Sequence, residues 1–316
     1  MPPVLSVVIV SWNVRDLLRR AMSSIRGSWP ATAVPELIVV DNASQDGSAE
    51  MVRSEYPEVR LIANDENRGF TGGNNQGIGF ATGDYVLLLN PDTEIVEDAL
   101  ATMVAYLQEH GDVGLVGPKL LDPDGSPQSS RRRFPDLSVL FLESTWLESL
   151  LPRRHLQRYY VDDVSDSVVQ DVDWVTGAAM MVRRQVIESV GRLDESFFMY
   201  SEELDWCRRI KSSGWRIVYL PTARVIHYGG KSSDQVVAAR HIYFQSSKVR
   251  YTSKHHGRMI AEVLRIWLLG QYVWQSILEA LKWVVGHHRA LRRERLHAYS
   301  EVLRSGLRQS HQERDG

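Results

Sequence analysis

Short, continuously apolar segments in the first 90 residues constrain the fold of this chain more than any other feature. They are LSVVIVSW (5–12), ELIVVDN (36–42), VRLIAN (59–64) and DYVLLLN (84–90). Such runs are typical of parallel strands that are buried on both faces of a sheet. Apolar residues with helical spacing lie between them, over 14–26 and near 74–82, and a further helix is predicted over Val96–Glu109. This order predicts an α/β fold in which a mostly parallel sheet is flanked by helices.

The following stretch continues the core with less regular patterns. Strand character is found at 113–128, 172–184, 215–221 and 224–230. Short helices are predicted over 184–191 and 201–214, and Gly214 is the expected C-terminal cap of the second. Residues 129–170 show no clear period and are interpreted as an insertion. We therefore predict one core domain over residues 1–257.

The composition changes from about residue 258, where a long segment is apolar nearly all round. Its uncharged run, Ile266–Leu278, is shorter than the ~20 residues that a membrane-spanning helix needs. Residues 287–316 then carry seven arginines against four acids. One interpretation of this helical extension, 258–316, is a helix that completes the domain or forms a homodimer interface. The other is an interfacial helix rich in Trp and Leu, with arginines attracted to anionic lipids.

Charge and cysteine content exclude some classes of protein. The formal net charge of -2 gives no reason to expect nucleic-acid binding. The single cysteine, Cys207, rules out an internal disulfide and fits a reducing compartment. The N-terminal segment lacks a basic region and a cleavage site, so we interpret it as a first strand and not as a signal peptide.

Polar residues follow several predicted strands at the point where each strand ends. They are Ser11 and Asn13 after the first, Asp41 after the second, and Asn90 and Asp92 after the fourth. Ligands of open parallel sheets bind beyond the carboxyl ends of the strands, so these side chains are candidates for one site. Asp92 in Asn-Pro-Asp-Thr is explained in one of two ways. It is a residue typical of a turn, or it binds a Mg²⁺ or Mn²⁺ ion that a substrate diphosphate also binds.

Three further segments carry candidate residues, each with a structural alternative. The glycine-rich stretch 67–75, with Arg68 and Gly73, is either a flexible loop before a helix or a close approach of backbone to a phosphate. The acids at 201–205 either suit a helix N-terminus or supply a general base with a raised pKa. His227 is either structural or a partner of Asp92 in a metal shell.

The motifs SVVIVSWN, IVVDNASQDGS, NRGFTGGNNQGI, LLLNPDT, VTGAAMMVRR, FFMYSEELDWCRRI and VIHYGG follow one another in this chain. Their order resembles that of the family-2 inverting glycosyltransferases, in particular the rhamnosyltransferase-like branch, over roughly residues 4–232. The resemblance implies a GT-A type fold, which is a Rossmann-like, mostly parallel sheet flanked by helices. It divides the core domain into a nucleotide-binding half, about 1–112, and an acceptor half, about 113–257.

The resemblance also implies roles for individual residues, beginning with the nucleotide-sugar donor. Donor-binding residues would be Ser11, Asn13, Asp41, Arg68, Gly73, Asn90 and Asp92, with Asn13 and Asp41 at the base and ribose. Asp92 and His227 would hold Mg²⁺ or Mn²⁺. The first residue of the family's metal motif is here Asn90 and not an acid, so Asp92 must carry the charge with help from His227.

The remaining roles concern the acceptor. Glu203 would be the catalytic base, in place of the family's usual aspartate. The pocket for the acceptor and the donor sugar would be lined by Trp174, Gly177, Ala178 and Glu202.

The expected function is transfer of a sugar, with inversion, from dTDP-rhamnose or a UDP-sugar to a hydroxyl of a glycan or polyprenyl-linked acceptor in cell-surface polysaccharide synthesis. The expected location is cytoplasmic, with peripheral contact at the inner face of the plasma membrane. One alternative is a non-catalytic nucleotide-sugar-binding protein. A nicotinamide-dependent dehydrogenase would need Gly-x-Gly-x-x-Gly after the first strand, where this chain has SWNVRD.

Overall fold

The structure is a computed structural model that describes residues 4–29, 35–229 and 236–308. The strands, in chain order, are β1 (Leu5–Ser11), β2 (Glu36–Asn42), β3 (Arg60–Asn64), β4 (Tyr85–Leu89), β5 (Thr93–Val96), β6 (Val113–Leu121), β7 (Arg131–Arg132), β8 (Gln170–Asp171), β9 (Trp174–Val175), β10 (Ala179–Arg183) and β11 (Arg216–His227). The helices are α1 (Arg15–Gly27), α2 (Ser48–Glu55), α3 (Gly69–Phe80), α4 (Ala99–Glu109), α5 (Leu137–Leu142), α6 (Arg153–Tyr160), α7 (Arg184–Val190), α8 (Glu202–Ser212), α9 (Val237–His256), α10 (Arg258–Val284) and α11 (Arg289–Ser305). A 3₁₀ turn covers Glu148–Leu150.

The chain divides into two compact units. The sheet unit comprises Met1–Phe134, Gln157–Ser196 and Glu202–Ser232. The helical unit comprises Pro135–Leu156, Phe197–Ser201 and Ser233–Gly316. The extension expected from residue 258 begins at the start of α10, and the helical unit contains α9 in addition.

The predicted α/β fold with a mostly parallel core is confirmed. Strand order in the sheet is β3-β2-β1-β4-β10-β6-β11-β5, and β8 pairs with β11. Strands β1 to β4 are mutually parallel, as are β6 and β11, whereas β10 runs antiparallel between β4 and β6. The antiparallel register places Ala179, the first residue of β10, beside Leu89, the last residue of β4. The segment that precedes β10 therefore reaches the carboxyl edge of the parallel strands.

Strand β1 shows why the apolar runs predicted buried strands. Successive side chains of a strand point to opposite faces. Val7 and Ile9 belong to the same core cluster as Leu18 of α1 and Met103 of α4. On the other face, Val8 and Val10 meet α3. Burial of such a side chain stabilises the fold by about 1.5–3 kcal/mol, so both faces of β1 contribute.

Helix α3 replaces most of the predicted glycine loop. A Cβ at Gly73 would lie 2.7 Å from Val10 Cγ1, and one at Gly77 would overlap Val8. Helix propensity disfavours such a glycine-rich segment, but close packing of its backbone on β1 overrides that preference. The glycines therefore serve the approach of helix to sheet.

Two other differences from the sequence prediction concern strands. Thr93–Val96 forms β5, where the sequence suggested a turn at Thr93 and the start of a helix at Val96. The strand forms because these residues pair with the distant β11. The two predicted strands at 215–221 and 224–230 are one strand, β11, whose register against β6 shifts between Leu220 and Arg224.

The helical unit has its own small core and buried ion pairs. Leu264 and Leu268 of α10 pack in one cluster with Val302 of α11. The buried carboxylate of Glu279 lies 2.7 Å from Arg292 Nη1. No helix in the described ranges is both long enough and apolar enough to cross a bilayer.

Candidate active site

The ends of β1 and β2 present buried polar atoms at the carboxyl edge of the sheet. Ser11 pairs in register with Asp41. Asp41 Oδ2 accepts a hydrogen bond from the Ser44 amide at 3.0 Å. Asp41 Oδ1 and Ser11 Oγ are buried and form no hydrogen bond with any described residue. A buried polar atom without a partner costs free energy, so both are suited to a polar ligand.

The loops that follow β1 and β2 are joined by hydrogen bonds. Asn13 Oδ1 accepts from the Gln45 amide at 2.7 Å, and the Asn13 amide donates to Ser44 Oγ at 3.0 Å. Asn13 and Ala43 both have positive φ angles, 53° and 59°. Non-glycine residues seldom adopt this conformation, and it is found often at binding sites. The interlocked loops thus give the edge a fixed shape.

Asp92 and His227 are brought together by the pairing of β5 with β11. Thr93 pairs with His227, and the Tyr228 amide donates to the Asp92 carbonyl at 2.8 Å. His227 Nε2 lies 3.4 Å from Asp92 Oδ1 but forms no hydrogen bond with the described residues. The other ring nitrogen, Nδ1, is 2.9 Å from Gln128 Oε1.

This pair fits part of a shell for a divalent cation. A buried carboxylate oxygen and a ring nitrogen are ligands that Mn²⁺ accepts, and Mg²⁺ prefers the oxygen. Within the described residues there is no group of three or more His, Cys, Asp and Glu side chains arranged for a metal. An ion held by Asp92 and His227 would therefore need further ligands from water or from a bound molecule, such as diphosphate oxygens.

Glu202 and Glu203 begin helix α8; Glu202 is buried, and Glu203 is partly buried. Oε2 of each carboxyl group forms no hydrogen bond with the part of the chain that is described. Burial, and then the charge of Glu203, raise the pKa of Glu202 well above its ordinary value. Burial also raises the pKa of Glu203, but the amides of Glu203, Leu204 and Gly177 and the charge of Arg132 oppose this rise. Of the two, Glu203 is therefore the carboxyl group better suited to ionise and accept a proton.

A short path of contacts connects Glu203 with Asp92. Gly177 lies against Glu203, since a Cβ on Gly177 would be 3.9 Å from Glu203 Cβ. The carbonyl of the next residue, Ala178, accepts a hydrogen bond from the Asn90 amide at 2.9 Å. Asp92 follows two residues later. Phe70 of α3 borders the same point, since a Cβ on Gly177 would lie 3.5 Å from its ring. The candidate base and the candidate metal ligands therefore lie at the same edge of the sheet.

Trp174 lies in an aromatic and basic cluster next to this edge. Its Nε1 donates to the Arg133 carbonyl at 3.0 Å. The Arg132 guanidinium lies 4.5 Å from the Tyr160 ring centroid and 5.9 Å from that of Trp174. Faces of aromatic rings and a cation suit contact with a sugar and with negative charge.

Arg68 and Gly73 are not brought into this network by any observed contact. Arg68 precedes α3, is about half exposed, and lies 3.7 Å from Glu66 Oε1. Gly73 packs on Val10, as described above. Their roles in donor binding stay predictions.

Sequence reasoning missed four polar residues at or near this edge. They are Thr71, Gln128, Ser130 and Thr176. The hydroxyls of Thr71, Ser130 and Thr176 are buried and form no hydrogen bond with described residues. All four lie inside segments already noted. The contact of Gln128 with the distant His227 and the burial of the three hydroxyls depend on long-range packing, so no local pattern marked them.

Two rhamnosyltransferases are similar to this chain over most of its length. The chain is 29% identical over 290 residues to N-acetylglucosaminyl-diphospho-decaprenol L-rhamnosyltransferase of Mycobacterium tuberculosis, covering 88% of this chain and 93% of that protein. It is 29% identical over 256 residues to rhamnosyltransferase WbbL of Escherichia coli K12, covering 78% and 92%. These relatives confirm the predicted rhamnosyltransferase-like branch.

Solved structures and a family model complete the assignment. The mannosyltransferase PcManGT of Pyrobaculum calidifontis, solved with GDP-Man and Mn²⁺, matches with a TM-score of 0.56 at 16% identity, over 97% of this chain and 88% of that one. This likeness supports the predicted GT-A type fold. The model described as "Glycosyl transferase family 2" matches residues 6–191, more than half of the chain. The chain belongs to glycosyl transferase family 2.

Proposed function

We propose that this glycosyltransferase inverts the anomeric carbon of a nucleotide-diphosphate sugar with Glu203 as its base and a divalent cation at Asp92 and His227. The observation that carries the proposal is the path of contacts from Glu203 through Gly177, Ala178 and Asn90 to Asp92. It supports the proposal because a single displacement requires the proton acceptor and the cation to lie close to one another.

In this mechanism, Glu203 Oε2 accepts the proton of the acceptor hydroxyl. The hydroxyl oxygen forms its bond to the anomeric carbon while the bond from that carbon to the diphosphate oxygen breaks on the opposite side. Configuration is therefore inverted, and the nucleoside diphosphate leaves with the bonding electrons. A bound Mg²⁺ or Mn²⁺ would offset the charge that develops on the leaving group.

The donor is proposed to lie across the ends of β1, β2 and β4. Asp41 and Ser11 offer the unpartnered polar atoms that ribose hydroxyls and the base can satisfy. Asn13 shapes that pocket through its loop contacts, and Arg68 would approach the nucleotide from the start of α3. We propose dTDP-rhamnose as the donor, with UDP-sugars as the next choice, because two relatives are named as rhamnosyltransferases.

The acceptor is proposed to be a saccharide linked to a polyprenyl lipid. The Mycobacterium tuberculosis relative is named for a decaprenol-linked substrate. Trp174, Gly177, Ala178 and Glu202 would line the pocket of the acceptor and donor sugar, where the indole and the Arg132 cluster offer flat apolar faces and charge. The product would enter cell-surface polysaccharide.

Helix α10 carries a surface that fits a lipid membrane. We define the exposed stripe as Met259, Val263, Ile266, Val273, Trp274, Ile277, Leu281 and Val284. These side chains are between 46% and 82% exposed. Most are three, four or seven residues apart, and Trp274 follows Val273 directly, so along the 27 residues of the helix they share one apolar face. Apolar surface of this extent usually marks an interaction site.

Charge favours a membrane as the occupant of the stripe over a second copy of the chain. Exposed basic residues stand at its two ends, with Arg258 at one and Lys282 and Arg289 at the other. The stripe itself carries no charge. In a helix pair, complementary charges normally flank the apolar seam, but Glu262, an acid beside the stripe, pairs with Arg265 of its own helix. We propose that the stripe rests on an anionic cytoplasmic leaflet, where a lipid-linked acceptor would be found.

Replacement of Glu203 by glutamine tests the catalytic proposal. Glutamine fills the same space but cannot accept a proton, so we expect the rate of rhamnosyl transfer from dTDP-rhamnose to fall by about 10²–10⁴-fold. Donor affinity, measured by calorimetry, should be unchanged, because the proposed donor contacts lie elsewhere.

Glu188→Gln is the matched control, since Glu188 is an exposed glutamate of the same unit. It should leave transfer unchanged. If Glu203→Gln transfers sugar at the original rate, Glu203 is not the base. If the unaltered protein binds the donor and transfers nothing to any lipid-linked saccharide, the non-catalytic alternative is favoured.

A further inference from the structure

Gln128 lies at the end of a rigid turn that follows β6. The Asp122 amide donates to the Ser126 carbonyl at 2.7 Å, and the Gln128 amide donates back to the Leu120 carbonyl at 2.9 Å. Gly125 takes the positive φ, 84°, that the turn needs. The turn therefore delivers the Gln128 side chain to one fixed place.

The carboxamide of Gln128 faces three groups. Its Nε2 donates to the His227 carbonyl at 2.7 Å and to Asp122 Oδ1 at 2.6 Å. Its Oε1 lies 2.9 Å from His227 Nδ1. A carbonyl and a carboxylate only accept hydrogen bonds, so the NH₂ group must face them. The opposite orientation would set Oε1 against two acceptors, and the amide orientation is thereby decided by its partners.

This orientation decides the proton position on His227. An oxygen at Nδ1 requires that Nδ1 carry the hydrogen, and a neutral imidazole then keeps a lone pair on Nε2. That nitrogen is buried, 3.4 Å from Asp92 Oδ1, and forms no hydrogen bond with the described residues. Two acceptors that face each other in a buried place repel, unless a cation lies between them.

We propose that Gln128 is a positioning residue that holds His227 in the Nδ1–H tautomer and so keeps Nε2 free to bind a divalent cation with Asp92. The inference rests on the proposed function, because the cation is the one that serves the diphosphate leaving group. Gln128 touches no reacting atom and acts only through His227. A partner that orients a histidine ligand is typically worth 10–100-fold in metal affinity.

Two substitutions separate this role from a merely structural one. Gln128→Met has similar length but no polar group, so it loses both the oxygen at Nδ1 and the ties to Asp122 and the His227 carbonyl. Gln128→Glu keeps an oxygen toward Nδ1, but it replaces the two donated bonds by an oxygen that faces Asp122 Oδ1 and the His227 carbonyl. Ser126→Ala is the control for the turn, because Ser126 Oγ bonds Asp124 and Asp122 and does not touch the amide.

The first measurement is the tautomer of His227 in the metal-free protein, by ¹⁵N NMR of the ring nitrogens, with His227→Ala to identify the signals. We expect the Nδ1–H form in the unaltered protein, Gln128→Glu and Ser126→Ala, and a mixture of forms in Gln128→Met. An Nε2–H form in the unaltered protein, or an unchanged tautomer in Gln128→Met, would overturn the proposal.

The second measurement is Mn²⁺ binding, by electron paramagnetic resonance with the metal alone. We expect Gln128→Met to raise the dissociation constant by about 10–100-fold, and Gln128→Glu and Ser126→Ala to stay near the original value. Equal weakening in Gln128→Glu and Gln128→Met would mean a structural role only, and the proposal would fall. If Asp92→Asn leaves Mn²⁺ binding intact, the proposed metal site fails, and the tautomer still decides whether Gln128 positions His227.

Discussion

The sheet unit and the helical unit differ in how their buried carboxylates are paired and in how much apolar helix surface they expose. In the sheet unit, Asp41, Glu202 and Glu203 each bury an oxygen that has no hydrogen-bond partner among the described residues. In the helical unit, the buried carboxylate of Glu279 is paired with Arg292, but the exposed stripe places large apolar side chains in solvent.

Both features lower the stability of the free protein. An unpartnered buried polar group costs about 1–3 kcal/mol, and an apolar side chain left in water forgoes about 1.5–3 kcal/mol. The two features differ in polarity, which fits the two kinds of occupant that we propose. A polar ligand would satisfy the buried oxygens of the sheet unit, and an apolar surface would cover the stripe of the helical unit.

Among the substitutions that test this comparison, polar substitutions in the stripe should have the largest effect, which is on membrane binding. We expect the pair Ile266→Gln and Leu281→Gln together to weaken binding to vesicles that contain anionic phospholipid by about 100-fold, because two inserted side chains are lost. Vesicle co-sedimentation measures the change. Binding should also weaken as salt rises, since the basic residues at the ends contribute.

Val168→Gln is the control for the stripe, since Val168 is an exposed apolar residue of the sheet unit. It should leave vesicle binding unchanged. The unaltered protein could instead fail to bind vesicles and be a dimer by light scattering. If the stripe variant is then a monomer, the occupant of the stripe is a second copy of the chain.

Alanine substitutions of two helical glycines, one in each unit, compare how closely their helices are packed. Gly77→Ala in α3 should lower the free energy of unfolding by about 1–3 kcal/mol, because its Cβ overlaps Val8 on a buried strand. Gly270→Ala in α10 should raise it by up to about 1 kcal/mol, because nothing lies within 4 Å of its Cβ and alanine favours the helix. Urea unfolding of both variants tests the pair. Equal effects of the two substitutions would contradict the close approach of α3 to β1.

The parts of the molecule that the sequence predicts are those in which local pattern and long-range packing agree. Strands β1, β2 and β4 are buried on both faces, so their composition alone identified them. The prediction of a fully buried strand was wrong for β3, which is partly exposed because it lies at the edge of the sheet. The polar residues that follow β1, β2 and β4 lie at one edge because parallel strands end together. Asp41 and Asp92 could therefore be predicted as candidate site residues from the sequence alone.

The rest depends on contacts between residues far apart in sequence. Gln128 and His227 are 99 positions apart, and β5 exists because it pairs with β11. Helix α3 begins at Gly69 because its glycines pack on β1, against their intrinsic preference. No local period contains this information, which explains why the sequence predicted a loop there and did not single out Gln128.

Substitution of Glu202 should have the smallest effect, a change in melting temperature, and it tests directly whether a buried carboxyl group lowers stability. Its raised pKa means that the folded state favours the protonated form, so its contribution to stability is present below the unfolded pKa and is lost as pH rises through the folded pKa. Glu202→Gln removes the charge, and we expect it to raise the melting temperature at pH 8 by about 2–4 °C, or about 1 kcal/mol. At pH 4 the variant and the original protein should melt together. The exposed Glu188→Gln should change neither value. A Glu202→Gln variant that is less stable at pH 8 would show that a partner holds the carboxylate in its charged form. The sheet unit would then resemble the helical unit, in which the buried carboxylate of Glu279 is paired with Arg292.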